Sequence, residues 1–234
     1  MLTAAAIVPA AGRGVRLGPG APKALRELAG VPMLVHAVRA LLQAPSIGQV
    51  VVAAPAAEVA QVTSLLGTWL STEVVVVAGG ETRQTSVRSA LDRLDRLAAA
   101  EVVLVHDAAR PLAPTTLAEQ VVAAVLAGAD AVVPAVPIVD TVKRVDADGG
   151  VIETLDRSRL RAVQTPQGFR RGVLVQAHAL APDSDSTDDA GLVERLGGRV
   201  RVIAGSDDAF KVTRPVDLAL AEAVLTRRRA SHVG

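Results

Sequence analysis

Short hydrophobic runs alternate with longer segments of helical periodicity along the first 135 residues. The runs are rich in Val, Ile, Leu and Ala, which is typical of strands buried on both faces of a sheet. Strands are predicted over 4–8, 50–54, 73–77, 101–105 and 131–133, and helices over 32–42, 56–66, 82–97 and 116–126. Strict alternation of this kind predicts an α/β fold with a Rossmann-like, doubly wound, mainly parallel sheet.

The pattern changes after Pro134. Strand-like segments over 138–145 and 151–155 flank Asp146-Ala147-Asp148-Gly149-Gly150, a strong turn signal, so we predict a projecting β-hairpin. A charged hairpin with an apolar alternate face is poorly stable alone, which favours packing on a second copy of the chain. Helices are then predicted over 172–180 and 187–196, the second capped by Thr187, with a strand over 199–203 and a last helix over 215–227.

Composition excludes several classes of function. The chain has no cysteine, which excludes thiolate catalysis and zinc–thiolate sites, and its four histidines show no metal-ligand spacing. A net charge of +1 and three aromatic residues argue against a nucleic-acid partner. No apolar stretch approaches 18 residues and the start lacks a basic n-region, so we expect no membrane span, no signal peptide and a cytoplasmic location.

The first strand runs into a loop of small residues followed by cations. The loop is Pro9-Ala10-Ala11-Gly12, and Arg16 and Lys23 follow it. The glycines at 12, 14 and 18 match neither a Walker A loop nor the dinucleotide fingerprint. Small residues permit a close approach of the backbone, and Arg and Lys donate to phosphate oxygens, so the loop indicates a nucleoside triphosphate site. A simple tight turn is the alternative.

Two other strand ends carry candidate chemistry. Asp107 follows the fourth strand, where a carboxylate could hold Mg²⁺ against phosphates, although it could instead cap a loop or pair with Arg110. Gly79-Gly80 follows the third strand and could admit a nucleobase read by Ser86, although a turn and helix cap explain it equally well. We interpret His106 as structural.

Lysine is rare in this chain. Of the 25 basic residues, only three are lysines: Lys23, Lys143 and Lys211. We interpret all three as point charges for phosphate, since each lies in a distinctive segment; chance or solubility is the alternative.

These segments together resemble the 2-C-methyl-D-erythritol 4-phosphate cytidylyltransferase family of the non-mevalonate isoprenoid pathway. The resemblance is collinear over nearly the whole chain. It is carried by Pro9-Ala10-Ala11-Gly12 with Arg16 and Lys23, Gly79-Gly80, Val105-His106-Asp107-Ala108-Ala109-Arg110-Pro111, Asp140-Thr141-Val142-Lys143-Arg144, Asp156-Arg157, Thr165-Pro166-Gln167 and Lys211-Val212-Thr213-Arg214-Pro215.

The resemblance implies a Mg²⁺-dependent transferase in which the phosphate of methylerythritol phosphate attacks the α-phosphorus of CTP and releases pyrophosphate. It implies one nucleotidyltransferase domain over 1–234, with a dimerisation arm over about 136–160 that reaches the partner of a homodimer. The implied catalytic residues are Arg16, Lys23, Asp107 and Lys211, with Asp107 also the metal ligand. The implied nucleotide-binding residues are Pro9, Ala10, Ala11, Gly12, Gly80, Glu81 and Ser86. The implied substrate-binding residues are Arg110, Thr141, Arg157 and Thr165.

Two positions depart from the family pattern, and alternatives stay open. Glu81 stands where the family often has Asp, and Val15 where some members carry a second arginine. The end at residue 234 leads us to expect no fused cyclodiphosphate synthase domain. A ribitol-5-phosphate cytidylyltransferase shares most motifs. A sugar-phosphate nucleotidylyltransferase that uses UTP or GTP, and a non-catalytic nucleotide-binding module, are the more distant alternatives.

Overall fold

A computed structural model of the chain describes residues 3–12, 22–70, 74–94, 100–181 and 188–231. Arg16, Val15, Gly14, Gly18 and Thr187, on which parts of the sequence interpretation depend, lie outside these residues. The described helices are α1 (Met33–Leu42), α2 (Val59–Trp69), α3 (Arg83–Leu94), α4 (Thr115–Leu126), α5 (Arg171–Leu180), α6 (Ala190–Arg195) and α7 (Pro215–Ser231). Short 3-10 helices cover Lys23–Leu25, Ala56–Glu58, Arg157–Arg159 and Asp207–Ala209.

The described strands form one large sheet and two small ones. They are β1 (Ala4–Pro9), β2 (Glu27–Leu28), β3 (Val31–Pro32), β4 (Ile47–Ala54), β5 (Val75–Ala78), β6 (Val102–Val105), β7 (Ala131–Pro137), β8 (Lys143–Val145), β9 (Val151–Thr154), β10 (Arg161–Val163), β11 (Gln167–Arg170) and β12 (Val200–Ala204). The large sheet has the order β10-β7-β11-β6-β1-β4-β5, with β12 also paired to β7.

The sheet is mostly parallel and is covered on both faces, as the alternation predicts. β1 pairs in parallel with β4 and β6, β4 with β5, and β12 with β7. Successive residues of β1 point to opposite faces, so that Ala6 and Val8 join a core with α1, α2 and α4, whereas Ile7 joins a core with α3, α5 and α6. Helices on both faces explain why these strands are continuously hydrophobic.

The local pattern did not predict two antiparallel strands. β11 pairs antiparallel with β6 and β7, and β10 pairs antiparallel with β7. The cis peptide bond Thr165–Pro166 lies between β10 and β11. These strands are short and mix Arg, Gln and Gly with apolar residues, so they lack the hydrophobic run of the parallel strands.

The predicted hairpin is present. Among the described strands, β8 and β9 pair only with each other, and their residues are exposed. Asp146 closes the turn, because its Oδ1 accepts a hydrogen bond from Gly150 N at 2.7 Å. The main-sheet strand β7 extends to Pro137, so the first residues of the segment predicted as the arm belong to the sheet. None of the described helices is long and apolar enough to cross a membrane.

Candidate active site

A cleft opens at the carboxyl ends of β1, β5 and β6, where ligands bind in open α/β sheets. Its main cavity has a volume of about 230 Å³. The cavity is lined by Pro9, Ala10, Ala11, Gly12, Lys23, Ala24, Gly80, Glu81, Thr82, Arg83, Ser86, Asp107, Ala108, Ala109 and Lys211. The structure therefore brings every described residue predicted for nucleotide binding into one cavity, together with Lys23, Asp107 and Lys211.

The turn after β5 is built for close approach. A Cβ at Gly80 would lie 2.2 Å from Thr85 Oγ1, so a larger residue does not fit without a shift. Gly80 N donates to Ser86 Oγ at 3.2 Å, and the Ser86 hydroxyl donates to Thr82 O at 2.8 Å. Ser86 thus holds this turn as well as lining the cavity.

The start of α3 faces the cleft and is capped by side chains. Thr82 N donates to Thr85 Oγ1 at 3.0 Å, and Thr85 N donates to Thr82 Oγ1 at 3.1 Å, a reciprocal pair of the capping-box type. Because the N-terminal end of a helix carries partial positive charge, this end favours an anion in the cavity.

Asp107 is the electrostatic centre of the cleft. Lys211 Nζ lies 2.7 Å from its Oδ2, Arg83 Nε lies 3.5 Å from its Oδ1, and Arg110 Nε lies 3.9 Å from Oδ2. Burial alone would raise the pKa of Asp107, but the three cations outweigh it and hold the pKa well below the usual carboxyl range. Asp107 is therefore ionised, and its carboxylate is held among three cationic side chains.

Lys211 reaches this carboxylate from the far end of the sequence. Val212 N donates to Ala109 O at 2.8 Å, which ties the Lys211 segment to the loop after β6. Val212 itself is buried, so the position of Lys211 is anchored by packing as well as by the hydrogen bond.

A second cavity of about 210 Å³ adjoins the first. The two share Arg83, Asp107 and Lys211. Thr165 and Arg110, both predicted to bind substrate, line the second cavity with Val163, Gln164, Gln167 and Asp188. The site is therefore bipartite, with three of its charged residues where the two cavities meet.

A directed chain of hydrogen bonds stabilises the second cavity. His106 Nε2 donates to Arg110 O at 3.3 Å, because a carbonyl can only accept. His106 Nδ1 then accepts from Thr165 Oγ1 at 3.0 Å, and Thr165 Oγ1 accepts from Asp107 N at 3.0 Å. Burial lowers the pKa of His106 to about 4, so the ring is neutral near pH 7, which agrees with its interpretation as structural.

The guanidinium of Arg110 donates hydrogen bonds mainly to backbone carbonyls. Its Nη1 donates to Ala209 O at 2.6 Å and its Nη2 to Val163 O at 3.2 Å. Only 9% of the residue is exposed. Arg110 thus joins the loop before Lys211 to the end of β10, and its Nε faces Asp107.

Three predicted residues lie outside both cavities of the single chain. Thr141 is exposed on the hairpin segment, and Arg157 is exposed and donates to Val139 O. Lys143, interpreted as a phosphate ligand, instead donates to Thr154 Oγ1 across the hairpin.

No site role was assigned from the sequence to Arg83, Asp189 or His178. Arg83 Nη1 donates to Asp189 Oδ2 at 2.6 Å, and His178 Nε2 lies 2.9 Å from Asp189 Oδ1. The position of Arg83 at the helix start after Gly79-Gly80 was a usable signal. Asp189 and His178 gave none, because they lie about a hundred residues further along the chain.

No group of three or more acidic, His or Cys side chains suited to a metal occurs among the described residues.

Comparison with known proteins gives a consistent result. The family model described as IspD, 2-C-methyl-D-erythritol 4-phosphate cytidylyltransferase, matches residues 4–227. A protein of that name from Streptomyces coelicolor is 57% identical, with 96% of this chain and 86% of the relative covered. Another from Frankia casuarinae is 59% identical, with 95% of this chain and 81% of the relative covered.

Solved structures agree with the sequence matches. The crystal structure of 2-C-methyl-D-erythritol 4-phosphate cytidylyltransferase from Thermus thermophilus matches with a TM-score of 0.72 at 34% identity, covering 94% of this chain and 97% of that one. The structure of 4-diphosphocytidyl-2C-methyl-D-erythritol synthase from Anaerococcus prevotii matches with a TM-score of 0.80 at 28% identity, covering 95% and 96%.

Proposed function

Because the chain belongs to the 2-C-methyl-D-erythritol 4-phosphate cytidylyltransferase family, we propose that the bipartite cleft is its active site. The chain is a nucleotidyltransferase that transfers a cytidylyl group from CTP to 2-C-methyl-D-erythritol 4-phosphate and releases pyrophosphate, in isoprenoid precursor biosynthesis. The observation that carries the assignment of the cleft is the convergence of Lys23, Asp107 and Lys211 beside the loop after β1.

CTP occupies the main cavity in this proposal. The small residues Ala10, Ala11 and Gly12 let the nucleotide approach the backbone, while Gly80, Glu81 and Ser86 of the same cavity contact the base. Lys23 then faces the triphosphate. Arg16 is predicted to join it and lies outside the described residues.

Methylerythritol phosphate occupies the second cavity, beside Thr165 and Arg110. A phosphate oxygen forms a bond to the α-phosphorus of CTP, and the bond from that phosphorus to the pyrophosphate oxygen breaks. No covalent enzyme intermediate is needed, so catalysis consists of positioning and of stabilising negative charge. Lys211 lies at the junction of the cavities, where it can contact either phosphate.

A divalent cation such as Mg²⁺ fits the donor set, with Asp107 as the proposed protein ligand. Mg²⁺ commonly binds one or two carboxylates and otherwise substrate phosphates and water, so a single carboxylate in the cleft is sufficient. When bound, the ion would neutralise phosphate charge. Asp107 keeps its ionised form for this role because three cations surround it.

The hairpin arm supports a homodimer with composite sites. Val139, Val145, Val151 and Ile152 are all more than half exposed in the single chain, which leaves an apolar surface for a second copy. In this proposal Thr141 and Arg157 reach the substrate phosphate of the partner's site, which explains their position outside both cavities. We also propose a cytoplasmic location, where CTP is available; cell fractionation tests it.

A mixing experiment tests the composite site. Lys23→Ala and Arg157→Ala should each be nearly inactive alone. If the arm of one protomer completes the other's site, half of the sites in mixed dimers regain both residues, and an equimolar mixture recovers about a quarter of wild-type activity. A mixture that stays as inactive as its components, while sedimentation shows a dimer, would contradict the arm assignment.

The activity itself is tested by pyrophosphate release. The protein is incubated with CTP and Mg²⁺ and with either methylerythritol phosphate or ribitol 5-phosphate. Release should require methylerythritol phosphate. The sequence left ribitol 5-phosphate open, and the family match decides against it. Release with ribitol 5-phosphate alone would overturn the substrate assignment, and omitting Mg²⁺ tests the metal requirement.

A further inference from the structure

Three side chains line both cavities of the cleft: Arg83, Asp107 and Lys211. In an in-line transfer the attacking phosphate and the α-phosphate must meet where the two cavities join. Asp107 and Lys211 already have proposed roles there. Arg83 shares their position, but neither the sequence nor the resemblance assigned it a role.

The guanidinium of Arg83 lies between two carboxylates. Nε is 3.5 Å from Asp107 Oδ1, and Nη1 donates to Asp189 Oδ2 at 2.6 Å. Nη2 is buried and has no hydrogen-bond partner among the described residues. A buried donor without a partner is costly, and arginine nitrogens are strong donors to phosphate oxygens, so this nitrogen is suited to a phosphate in the cleft.

Asp189 is itself held rigidly. Only 1% of the residue is exposed, and His178 Nε2 lies 2.9 Å from its second oxygen. His178 belongs to α5 and is also buried, whereas Arg83 opens α3. The pair therefore anchors Nη1 of the guanidinium to the body of the protein, while Nε faces Asp107, which lines both cavities.

We propose that Arg83 is a further catalytic residue that binds phosphate oxygens at the junction of the two cavities, and that Asp189, held by His178, is a positioning residue for it. The inference rests on the transfer reaction proposed for this cleft. Arg83 exchanges no proton; its N–H groups stabilise the charge that develops as the new phosphorus–oxygen bond forms and pyrophosphate leaves.

Arginine suits this position better than lysine. Its planar fork can bind a carboxylate along one edge while another nitrogen contacts a second anion, whereas a lysine ammonium is a point charge on a flexible stem. The proposal thus predicts that Arg83→Lys, which keeps the charge, still loses activity.

Steady-state kinetics of Arg83→Gln and Arg83→Lys test the catalytic role. With CTP, methylerythritol phosphate and Mg²⁺, kcat should fall about 100-fold for Arg83→Gln and about 10-fold for Arg83→Lys. Arg93→Gln is the matched control: Arg93 lies on the same helix and is exposed, and it lines neither cavity. Its kcat should stay within about threefold of wild type, even if its melting temperature drops.

A double-mutant cycle tests the positioning role. Asp189→Asn should lower kcat about 10-fold in the wild-type background and have less than about a twofold effect in the Arg83→Gln background, because it acts through Arg83. Equal losses in both backgrounds would overturn the positioning role, since a merely structural residue gives that result.

The activity of the wild-type enzyme distinguishes the role of Arg83 from the function proposed for the cleft. An inactive wild-type enzyme would contradict the function. An active wild type with normal kcat in Arg83→Gln would overturn the role of Arg83 alone. If Arg83→Gln does not fold, Arg83→Lys decides the question, and a normal kcat in a folded Arg83→Lys overturns the proposal.

Discussion

Replacing Thr165 by valine removes a single hydroxyl group at the junction of β6, β10 and β11. Thr165 Oγ1 accepts from Asp107 N and donates to His106 Nδ1, both at 3.0 Å. Valine has nearly the same shape but can form neither bond. His106 cannot compensate by changing tautomer, because its Nε2 must keep the proton that it donates to Arg110 O.

The expected cost follows from burial. Thr165 is 4% and His106 is 1% exposed, so water does not easily replace the lost hydroxyl. Two polar groups lose a partner, the buried His106 Nδ1 and the partly buried Asp107 N, each at about 1–3 kcal/mol. We expect the free energy of unfolding to fall by about 2–4 kcal/mol. This is less than twice the largest single cost, because the valine methyl adds apolar contact. For a chain of this size the melting temperature should fall by roughly 5–15 °C.

Urea unfolding followed by circular dichroism measures the loss, with Thr165→Ser as the matched control because it keeps the hydroxyl. The serine variant should lie within about 1 kcal/mol of wild type. The kcat of the valine variant should also fall, because Asp107 loses a backbone anchor. A valine variant as stable as the serine variant would refute the reasoning, since it would show that the hydroxyl contributes nothing to the fold.

Three further predictions concern the same cleft. Gly80→Ala should destabilise the protein by about 1–3 kcal/mol and raise the KM for CTP, because its Cβ meets Thr85; Gly172→Ala, where a Cβ has open space, should be harmless in the same unfolding and kinetic assays. Stability should fall by about 3 kcal/mol as the pH falls from 6.5 to 4, because burial lowers the pKa of His106 to about 4 and the unfolded chain binds the extra proton in that interval. Urea titrations across this range should show a smaller pH dependence for His106→Gln, and an unchanged one would contradict the assignment. Lys23→Ala should lower kcat about 100-fold with a much smaller change in CTP affinity, because its contacts strengthen as charge develops; a normal turnover number would exclude that role.

Local patterns predicted most of the elements but not their ends. The buried runs of β1, β4 and β6 were found because parallel strands covered on both faces are continuously hydrophobic. β10 and β11 were not predicted, since their stability comes from pairing with β6 and β7 rather than from a hydrophobic run of their own. The helix predicted over 56–66 begins as a 3-10 turn and continues to Trp69, an end that propensity alone does not define.

The candidate site was partly predictable because some of its residues directly follow predicted strands. Ala11 and Gly80 follow strands, so their place at the carboxyl edge of the sheet follows from strand order. Lys211 could be selected because lysine is rare, but its 2.7 Å contact with Asp107 depends on the packing of a distant loop. Arg110 carries a charge that suggests a ligand, yet its Nη atoms donate to backbone carbonyls.

The sequence by itself determined the α/β class, the glycine-containing strand ends, the projecting hairpin and the family. Each of these depends on contiguous residues or on motifs in a fixed order along the chain. Only the tertiary structure decided which charges meet. Arg83 and Asp189 are 106 residues apart in the chain and 2.6 Å apart in space. No local propensity encodes such a pair; it forms because the core places α3 beside α5 and α6, and burial then requires each charge to find a partner.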